Sequence, residues 1–286
     1  MLPQVQRGTT FALGTDDVPR QETIVTQQED IMVRRLSIFG YGVVSYGIFF
    51  ATFLYAIGFV GGFGVPRIID GPLEGSLAGA IAVDLGLLGL FALQHSVMAR
   101  QGFKRRLTRI VPEPAERSTY VLASSVALLL LFWQWRPIGG VVWSFESSAA
   151  QVIAYGIFAI GWVTILVCTF LINHFDLFGL RQVWLALLDR PYTSLRFTTP
   201  GPYRVVRHPL YVGWLLAFWA TPTMTATHLL FAIATTAYIL IAIQFEERDL
   251  VAAYGESYAA YRRRVPMLVP RLPRSEPAPA PAPRTV

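Results

Sequence analysis

Ionisable and aromatic polar side chains lie at both ends of one hydrophobic segment near the C-terminus. The segment starts with Gly-Pro-Tyr-Arg-Val-Val-Arg-His-Pro-Leu-Tyr-Val-Gly over residues 201–213, and it ends at the adjacent pair Glu246-Glu247. Arginine, tyrosine and glutamate at helix ends commonly serve only as interface anchors. Cations, a histidine and two carboxylates bracketing one hairpin instead indicate a functional site, in which carboxylates bind cationic groups and arginines bind anionic ones.

A second set of polar residues interrupts the apolar sequence of the N-terminal half. It comprises Asp84, Gln94-His95-Ser96, Asn173-His174-Phe175-Asp176 and Arg181-Gln182. The spacing of Asp84 and His95 returns them to one face of a helix, about three turns apart. Each histidine alone is equally well explained as a cap at a helix end. Two histidines at the same depth favour proton transfer, since imidazole titrates near neutral pH.

Composition and charge assign the chain to a membrane. Of the 286 residues, 53% are hydrophobic and 15% are charged, whereas soluble domains carry about 25% charged residues. The net charge is +6, and the positive residues lie in short loops. Positive charges in such loops set the topology of a membrane protein, and this distribution argues against nucleic acid as a partner. The single cysteine, Cys168, excludes an internal disulfide and is expected to pack in a helix. No metal-ligand spacing is present.

Four apolar segments are close to the roughly 20 residues that cross a bilayer. They are predicted at Ser37–Phe63, Gly75–Met98, Ser118–Trp135 and Ala149–Ile172. The longer run Leu210–Phe245 is broken around Thr221-Pro222-Thr223, because proline removes a backbone donor. It is therefore predicted to form two shorter helices in a hairpin. The predicted fold is all-α and integral to the membrane, with five to six transmembrane helices and a C-terminal helical hairpin.

Domain organisation follows from the same pattern. Residues 1–35 are expected to be a disordered polar tail, residues 36–270 the transmembrane domain, and residues 271–286 a Pro/Ala-rich tail. The basic residues expected inside the cell are Arg34, Arg35, Arg100, Lys104, Arg105, Arg106, Arg109, Arg181, Arg190, Arg196, Arg204, Arg207, Arg248, Arg262, Arg263 and Arg264, against Arg67 and Arg136 outside. This asymmetry places both termini and the charged site in the cytoplasm. A bacterial inner membrane is the expected location.

The ordered series from Arg207-His208-Pro209-Leu210-Tyr211 through Glu246-Glu247 to Tyr261-Arg262-Arg263-Arg264-Val265-Pro266 resembles the isoprenylcysteine carboxyl methyltransferase family. The resemblance covers about residues 195–270 and implies a cytoplasm-facing pocket for S-adenosylmethionine within about residues 173–270. No Rossmann glycine fingerprint is present. The cofactor-binding residues so implied, together with the neighbouring cations, are Leu195, Arg196, Phe197, Thr198, Tyr203, Arg204, Arg207, His208, Pro209, Leu210, Tyr211, Glu246 and Glu247.

One departure from that family concerns the acceptor. The prenylcysteine enzymes carry an arginine for the substrate carboxylate four residues before the second glutamate, where this chain has Ile243. The N-terminal motifs Gln94-His95-Ser96-Val97-Met98-Ala99-Arg100 and Asn173 to Val183 are instead similar to the bacterial membrane-bound methanethiol S-methyltransferases. That resemblance implies a small thiol substrate, an apolar pocket and formation of dimethyl sulfide.

A thiol acceptor requires a base, because alkyl thiols are at most slightly ionised at neutral pH. The candidates are His174 with Asp176 nearby, or His95, and the sequence does not rank them. Gln94, Asn173, Arg181 and Gln182 are the candidate pocket residues. Two alternatives stay open: the same fold acting on a lipid or prenylated acceptor, and a non-catalytic NnrU-like accessory or transport protein. The oligomeric state is not determined by the sequence.

Overall fold

The computed structural model describes the backbone of residues 21–270 and the side chains from Thr26 onward. Within this range the chain forms ten α-helices and one two-stranded sheet. The helices are α1 (Gln21–Gly61), α2 (Leu77–Met98), α3 (Gln101–Leu107), α4 (Glu116–Gln134), α5 (Ser148–Ile172), α6 (His174–Leu177), α7 (Leu180–Leu187), α8 (Pro209–Trp219), α9 (Ala226–Tyr254) and α10 (Glu256–Arg264); the strands are β1 (Val141–Ser144) and β2 (Thr223–Thr225).

Five of the described helices, α1, α2, α4, α5 and α9, are long and apolar enough to cross a bilayer. The predicted all-α integral membrane fold is therefore confirmed. The observed bounds of α2, α4 and α5 lie within two residues of the predicted segments at each end. Helix boundaries were predictable here because each span is a continuous apolar run with polar or glycine-containing flanks.

The first helix begins earlier than predicted. Residues 21–35, assigned from the sequence to a polar tail, form the first turns of α1. Gln, Glu, Met and Arg are good helix formers, so a helix nucleated in the bilayer continues into water. Arg35 also contacts Asp189, with Nη2 and Oδ1 2.5 Å apart. Residues 1–20 and the predicted C-terminal tail 271–286 lie outside the described residues.

Helices α5 and α8 cross at very close range because both carry glycine at the contact. A Cβ atom built on Gly161 would lie 2.6 Å from the backbone nitrogen of Ala217, and one on Gly213 would lie 2.9 Å from the carbonyl oxygen of Gly161. Small residues allow two helix backbones to approach in this way. The crossing fixes α8, whose first residues belong to the candidate site.

The two ends of the bundle differ in chemistry. We define the charged end by two ion pairs. Arg35 pairs with Asp189 and joins the N-terminal part of α1 to the loop after α7, and Arg100 pairs with Asp249 and joins the end of α2 to α9. At the far end, β1 pairs antiparallel with β2, with Val141 opposite Thr225 and Ser144 opposite Thr223. These contacts place the described ends of the chain, and the 189–208 loop, at the charged end.

The C-terminal hairpin reaches the far end although its first helix is short. Helix α8 has 11 residues, which gives about 16 Å of length against a hydrocarbon core of about 30 Å. Residues 220–225 continue in non-helical form, and β2 satisfies part of their backbone by pairing with β1. The side chain of Thr225 then caps α9 by accepting from the backbone nitrogen of His228 at 3.0 Å.

Candidate active site

A buried ionic cluster joins the start of α8 to the end of α9. Nε of Arg207 donates to Oε1 of Glu247 at 2.7 Å, and Nε2 of His208 donates to the same oxygen at 3.1 Å. Nε of Arg262 lies 3.2 Å from Oε2 of Glu247. The side chains of His208 and Glu247 are each 4% exposed. Because a buried carboxylate is costly without partners, Glu247 requires these cations and holds the two helices in register.

The segment after α10 holds the backbone of the same loop. The backbone nitrogens of Arg207 and His208 donate to the carbonyls of Pro266 and Met267 at 2.8 and 3.2 Å. Nη1 of Arg207 also donates to the carbonyl of Val265 at 2.6 Å. Pro209 then begins α8, a position where its missing N–H leaves no helical bond unmade. His208 is thus fixed by its backbone as well as by its ring.

Glu246 differs from Glu247 in having free acceptor capacity. Its side chain is 44% exposed, and Oε2 accepts from the hydroxyl of Tyr211 at 2.9 Å and lies 3.9 Å from Nδ1 of His208. Glu247, in contrast, has cationic partners on both oxygens. Of the two carboxylates, Glu246 is therefore the one placed to accept from a bound cation.

The predicted cofactor segment Leu195 to Thr198 packs against α9 and α10. The ring of Phe197 contacts the rings of Tyr254, Tyr258 and Tyr261 at centroid distances of 5.2 to 5.6 Å. The hydroxyl of Tyr254 donates to the carbonyl of Leu195 at 3.5 Å. Arg196 and Thr198 are exposed. The segment therefore reaches the charged cluster through aromatic contacts, with its polar side chains facing outward.

Tyr203 and Arg204 complete the loop between that segment and α8. The carbonyl of Tyr203 accepts from the hydroxyl of Tyr261 at 2.5 Å, and burial raises the pKa of the Tyr203 phenol well above its usual value. Arg204 is exposed, and its Nε donates to the carbonyl of Thr199 at 3.4 Å. Leu210 is half-buried beside Tyr211. The structure thus brings residues 195–211 and 246–247 together at the charged end.

Three residues of this site were not among the predicted ligands: Tyr258, Tyr261 and Arg262. The two tyrosines are 2% and 6% exposed, and burial raises the pKa of Tyr261 to about 12. Their signal in the sequence is the spacing of the tyrosines at 254, 258 and 261, which follow the glutamate pair.

His174 lies at the junction of α5 and α6 and is 3% exposed. Its Nδ1 is 2.8 Å from Oγ1 of Thr169, and its Nε2 is 2.8 Å from the hydroxyl of Tyr46 on α1. Burial lowers the pKa of His174 below its usual value, which favours the neutral ring. Asp176 is not its partner, contrary to the predicted His-Asp pair.

Asp176 instead anchors the loop after α7. Its Oδ1 accepts from Nη1 of Arg181 at 2.7 Å, and Oδ2 accepts from the hydroxyl of Tyr192 at 3.3 Å. Asn173 adopts a left-handed conformation with φ of 95° and accepts from the backbone nitrogen of Asp176 at 3.1 Å. Gln182 donates to the carbonyl of Asp176 at 3.1 Å. Three predicted pocket residues thus have local structural contacts, because α5 must turn sharply into α6.

His95 lies on α2 at an interface with α4. Its Nδ1 is 3.2 Å from Oγ of Ser124, and the hydroxyl of Tyr120 lies 2.8 Å from Nε2 and 3.0 Å from Nδ1. Gln94 donates from Nε2 to Oγ of Ser124 at 3.3 Å. Asp84, on the same helix, has a different role at the far end, where its Oδ1 accepts from the backbone nitrogen of Arg136 at 2.9 Å. The predicted polar stripe is therefore divided between the two ends.

The His95 group extends to α9. Oγ of Ser96 is 3.2 Å from the hydroxyl of Tyr238 on α9. One of the two candidate histidines thus adjoins the helix that carries Glu246.

Known proteins resemble this chain over most of its length. A methanethiol S-methyltransferase from Crocosphaera subtropica is 59% identical over 230 residues, covering 80% of this chain and 90% of the relative. Its counterpart from Mycobacterium tuberculosis is 57% identical over 239 residues, covering 84% of this chain and 98% of the relative. The chain belongs to the methanethiol S-methyltransferase family. The resemblance found in the sequence motifs is therefore confirmed, and the protein is a thiol S-methyltransferase by family.

More distant similarities place this methanethiol S-methyltransferase family member in a wider group. A phospholipid methyltransferase family model matches residues 149–257, from α5 to α10. Nurim from Xenopus laevis is 29% identical over 177 residues, covering 59% of this chain and 62% of that protein. No solved structure matches the chain.

Proposed function

We propose that this protein transfers a methyl group from S-adenosylmethionine to methanethiol and releases dimethyl sulfide. The observation that carries the proposal is the identity of 54% to 59% with proteins named methanethiol S-methyltransferase. The charged cluster between α8 and α9 supports it, because a sulfonium amino acid needs anionic and cationic partners side by side.

The donor set at the charged end fits S-adenosylmethionine. Glu246 has free acceptor capacity for the ammonium or ribose, and the exposed guanidinium groups of Arg196 and Arg204 are available to the carboxylate. Tyr203 and Tyr211 offer aromatic faces for the purine. Bound there, S-adenosylmethionine supplies an electrophilic methyl group. The function of Arg207, His208 and Glu247 is then to hold α8 against α9 so that this surface keeps its shape.

The protein's contribution to the chemistry is positioning, exclusion of water and removal of one proton. A neutral histidine is the proposed proton acceptor, and both His95 and His174 are hydrogen-bonded in a way that fixes their rings. Asp176 orients the 180–193 loop through Arg181 instead of acting on the base. We further propose that the charged end faces the cytoplasm of a bacterial inner membrane, because nearly all the loop arginines lie there.

One assay tests the proposal. Membranes containing the protein, supplied with methanethiol and S-adenosylmethionine, should release dimethyl sulfide measurable by gas chromatography. Glu246→Gln should weaken donor binding by about 10- to 100-fold, because a hydrogen bond to a charged group contributes about 1.5–3 kcal/mol. Glu256→Gln is the matched control, since Glu256 lies at the same end, is 77% exposed and, among the described residues, forms an ion pair only with exposed Arg263. Absence of dimethyl sulfide from the wild-type protein contradicts the proposal.

A lipid acceptor is the second candidate, favoured by the phospholipid methyltransferase family match over residues 149–257. The buried, apolar Ile243, 0% exposed, argues against an acceptor carboxylate at that position. Labelled methyl transfer into the lipid fraction, with none into volatile sulfide, would favour this candidate. An accessory role without catalysis predicts no binding of S-adenosylmethionine by calorimetry.

A further inference from the structure

His95 and His174 have matching hydrogen-bond environments. In each case Nδ1 meets a Ser or Thr hydroxyl that already donates to a backbone carbonyl of its own helix: Ser124 donates to Tyr120 at 3.0 Å, and Thr169 donates to Leu166 at 2.7 Å. Those hydroxyl oxygens can therefore only accept from the ring, which places the proton on Nδ1. Nε2 is left as an acceptor, 2.8 Å from a tyrosine hydroxyl, Tyr120 at His95 and Tyr46 at His174; the Tyr120 hydroxyl also lies 3.0 Å from Nδ1 of His95.

The two environments differ in what lies beyond the tyrosine. Around His174, the stacked ring of Phe170 and the adjacent Phe175 are 54% and 51% exposed and face outward from the bundle. Around His95, the ring of Phe91 stacks at 5.2 Å and also contacts Tyr238 at 6.3 Å, so this group is continuous with α9. The hydroxyl of Ser96, the residue after His95, also meets Tyr238 on α9, the helix that carries Glu246.

An unfilled acceptor adjoins the His95 group. Oε1 of Gln94 is buried and has no hydrogen-bond partner among the described residues, although Nε2 of the same side chain donates to Ser124. A buried carbonyl oxygen without a partner costs free energy. The position is explained if a donor on a bound molecule completes this hydrogen bond.

Building on the proposed function, we propose that Tyr120 is the catalytic residue that receives the proton of the thiol and passes its own proton to Nε2 of His95. The S–H bond breaks as a new carbon–sulfur bond forms between the thiol sulfur and the transferred methyl group. The electron pair of the cleaved sulfonium bond stays with the donor product. The proton ends on His95 and is then released to water, so the reaction yields one proton overall. His174, with Tyr46, then serves to join α1 to α5.

The test compares tyrosine hydroxyls by removing them one at a time. Tyr120→Phe keeps the ring that packs against His95 and the guanidinium of Arg117, whose Cζ lies 5.1 Å from the ring centroid. Tyr46→Phe removes the equivalent hydroxyl at His174. Tyr41→Phe is the structural control, because it removes an interhelical hydroxyl that donates to Thr119 at 3.0 Å instead of contacting a histidine.

The expected result is a loss that depends on the acidity of the thiol. Tyr120→Phe should lower kcat with methanethiol by about 100-fold or more, the range of general base catalysis. The loss should be much smaller with trifluoroethanethiol, a small thiol that is more ionised at the same pH. Binding of S-adenosylmethionine, measured by calorimetry, should be unchanged. Tyr41→Phe should keep the wild-type kcat with both thiols.

Three outcomes would overturn the inference: a wild-type kcat in Tyr120→Phe, an equal loss with both thiols, or the acidity-dependent loss appearing in Tyr46→Phe instead. Failure of the proposed function is recognised separately, because wild-type protein would then form no dialkyl sulfide from either thiol. His95→Gln should reproduce the dependence on thiol acidity, since it removes the final acceptor behind Tyr120.

Discussion

Replacement of Glu247 by alanine tests whether the ionic cluster holds α8 to α9. The change leaves the guanidinium of Arg207, only 11% exposed, and the ring of His208 without their common carboxylate. Breaking a buried ion pair by removing one partner costs about 3–5 kcal/mol. For a chain of this size, that loss corresponds to a fall in Tm of about 6–20 °C. Thermal unfolding in detergent, followed by circular dichroism, measures it.

Two further variants distinguish the loss of this buried ion pair from the loss of any ion pair. Arg207→Ala combined with Glu247→Ala should be less destabilised than the sum of the single variants, because the double variant leaves no buried guanidinium unpaired. Glu256→Ala, which breaks the exposed pair with Arg263, should cost about 0–1 kcal/mol. A Glu247→Ala protein that unfolds at the wild-type temperature would refute the structural role that we assign to this carboxylate.

Two other predictions concern the helix crossing and the buried histidine. Gly161→Ala should separate α8 from α5, because the new Cβ would lie 2.6 Å from the Ala217 nitrogen. Thermal unfolding should then show lower stability, and calorimetry should show lower affinity for S-adenosylmethionine. Gly156→Ala is the control, because a Cβ at this position of the same helix has nothing within 4 Å, and it should change neither quantity. Because burial lowers the pKa of His174, the unfolded chain binds that proton more readily. Stability should therefore be full above the usual pKa of about 6.5 and should fall as pH drops through it. His174→Gln should flatten this part of the pH profile of Tm, and an unchanged profile would contradict the assignment.

The architecture was largely predictable from the sequence. Apolar runs of about 20 residues identify membrane helices because each span must satisfy its own backbone. The meeting of His208 with Glu247 was also accessible, since polar groups at the two ends of one hairpin come together when the hairpin closes. Helix α1 was the exception, because its first turns are polar and carry no hydrophobic signal.

The hydrogen-bond partners of the two histidines could not be predicted from the sequence. Asp176 follows His174 by two residues, which suggested a pair, but both lie in the helical turn α6, where residues two apart do not face each other, and the carboxylate meets Arg181. The partners of His95 come from α4, more than 20 residues away, through Tyr120 and Ser124. Contacts between helices depend on crossing geometry, and a single sequence does not specify which faces meet. For the same reason, Tyr120 was not identifiable as a candidate.

The proposed function is tested most directly by following the methyl group itself. Purified protein should be incubated with methanethiol and S-adenosylmethionine carrying a trideuterated methyl group, and the headspace should be examined by gas chromatography and mass spectrometry. The account predicts dimethyl sulfide that contains one deuterated and one ordinary methyl group. Unlabelled dimethyl sulfide, or none at all under conditions where the protein is folded, would contradict it.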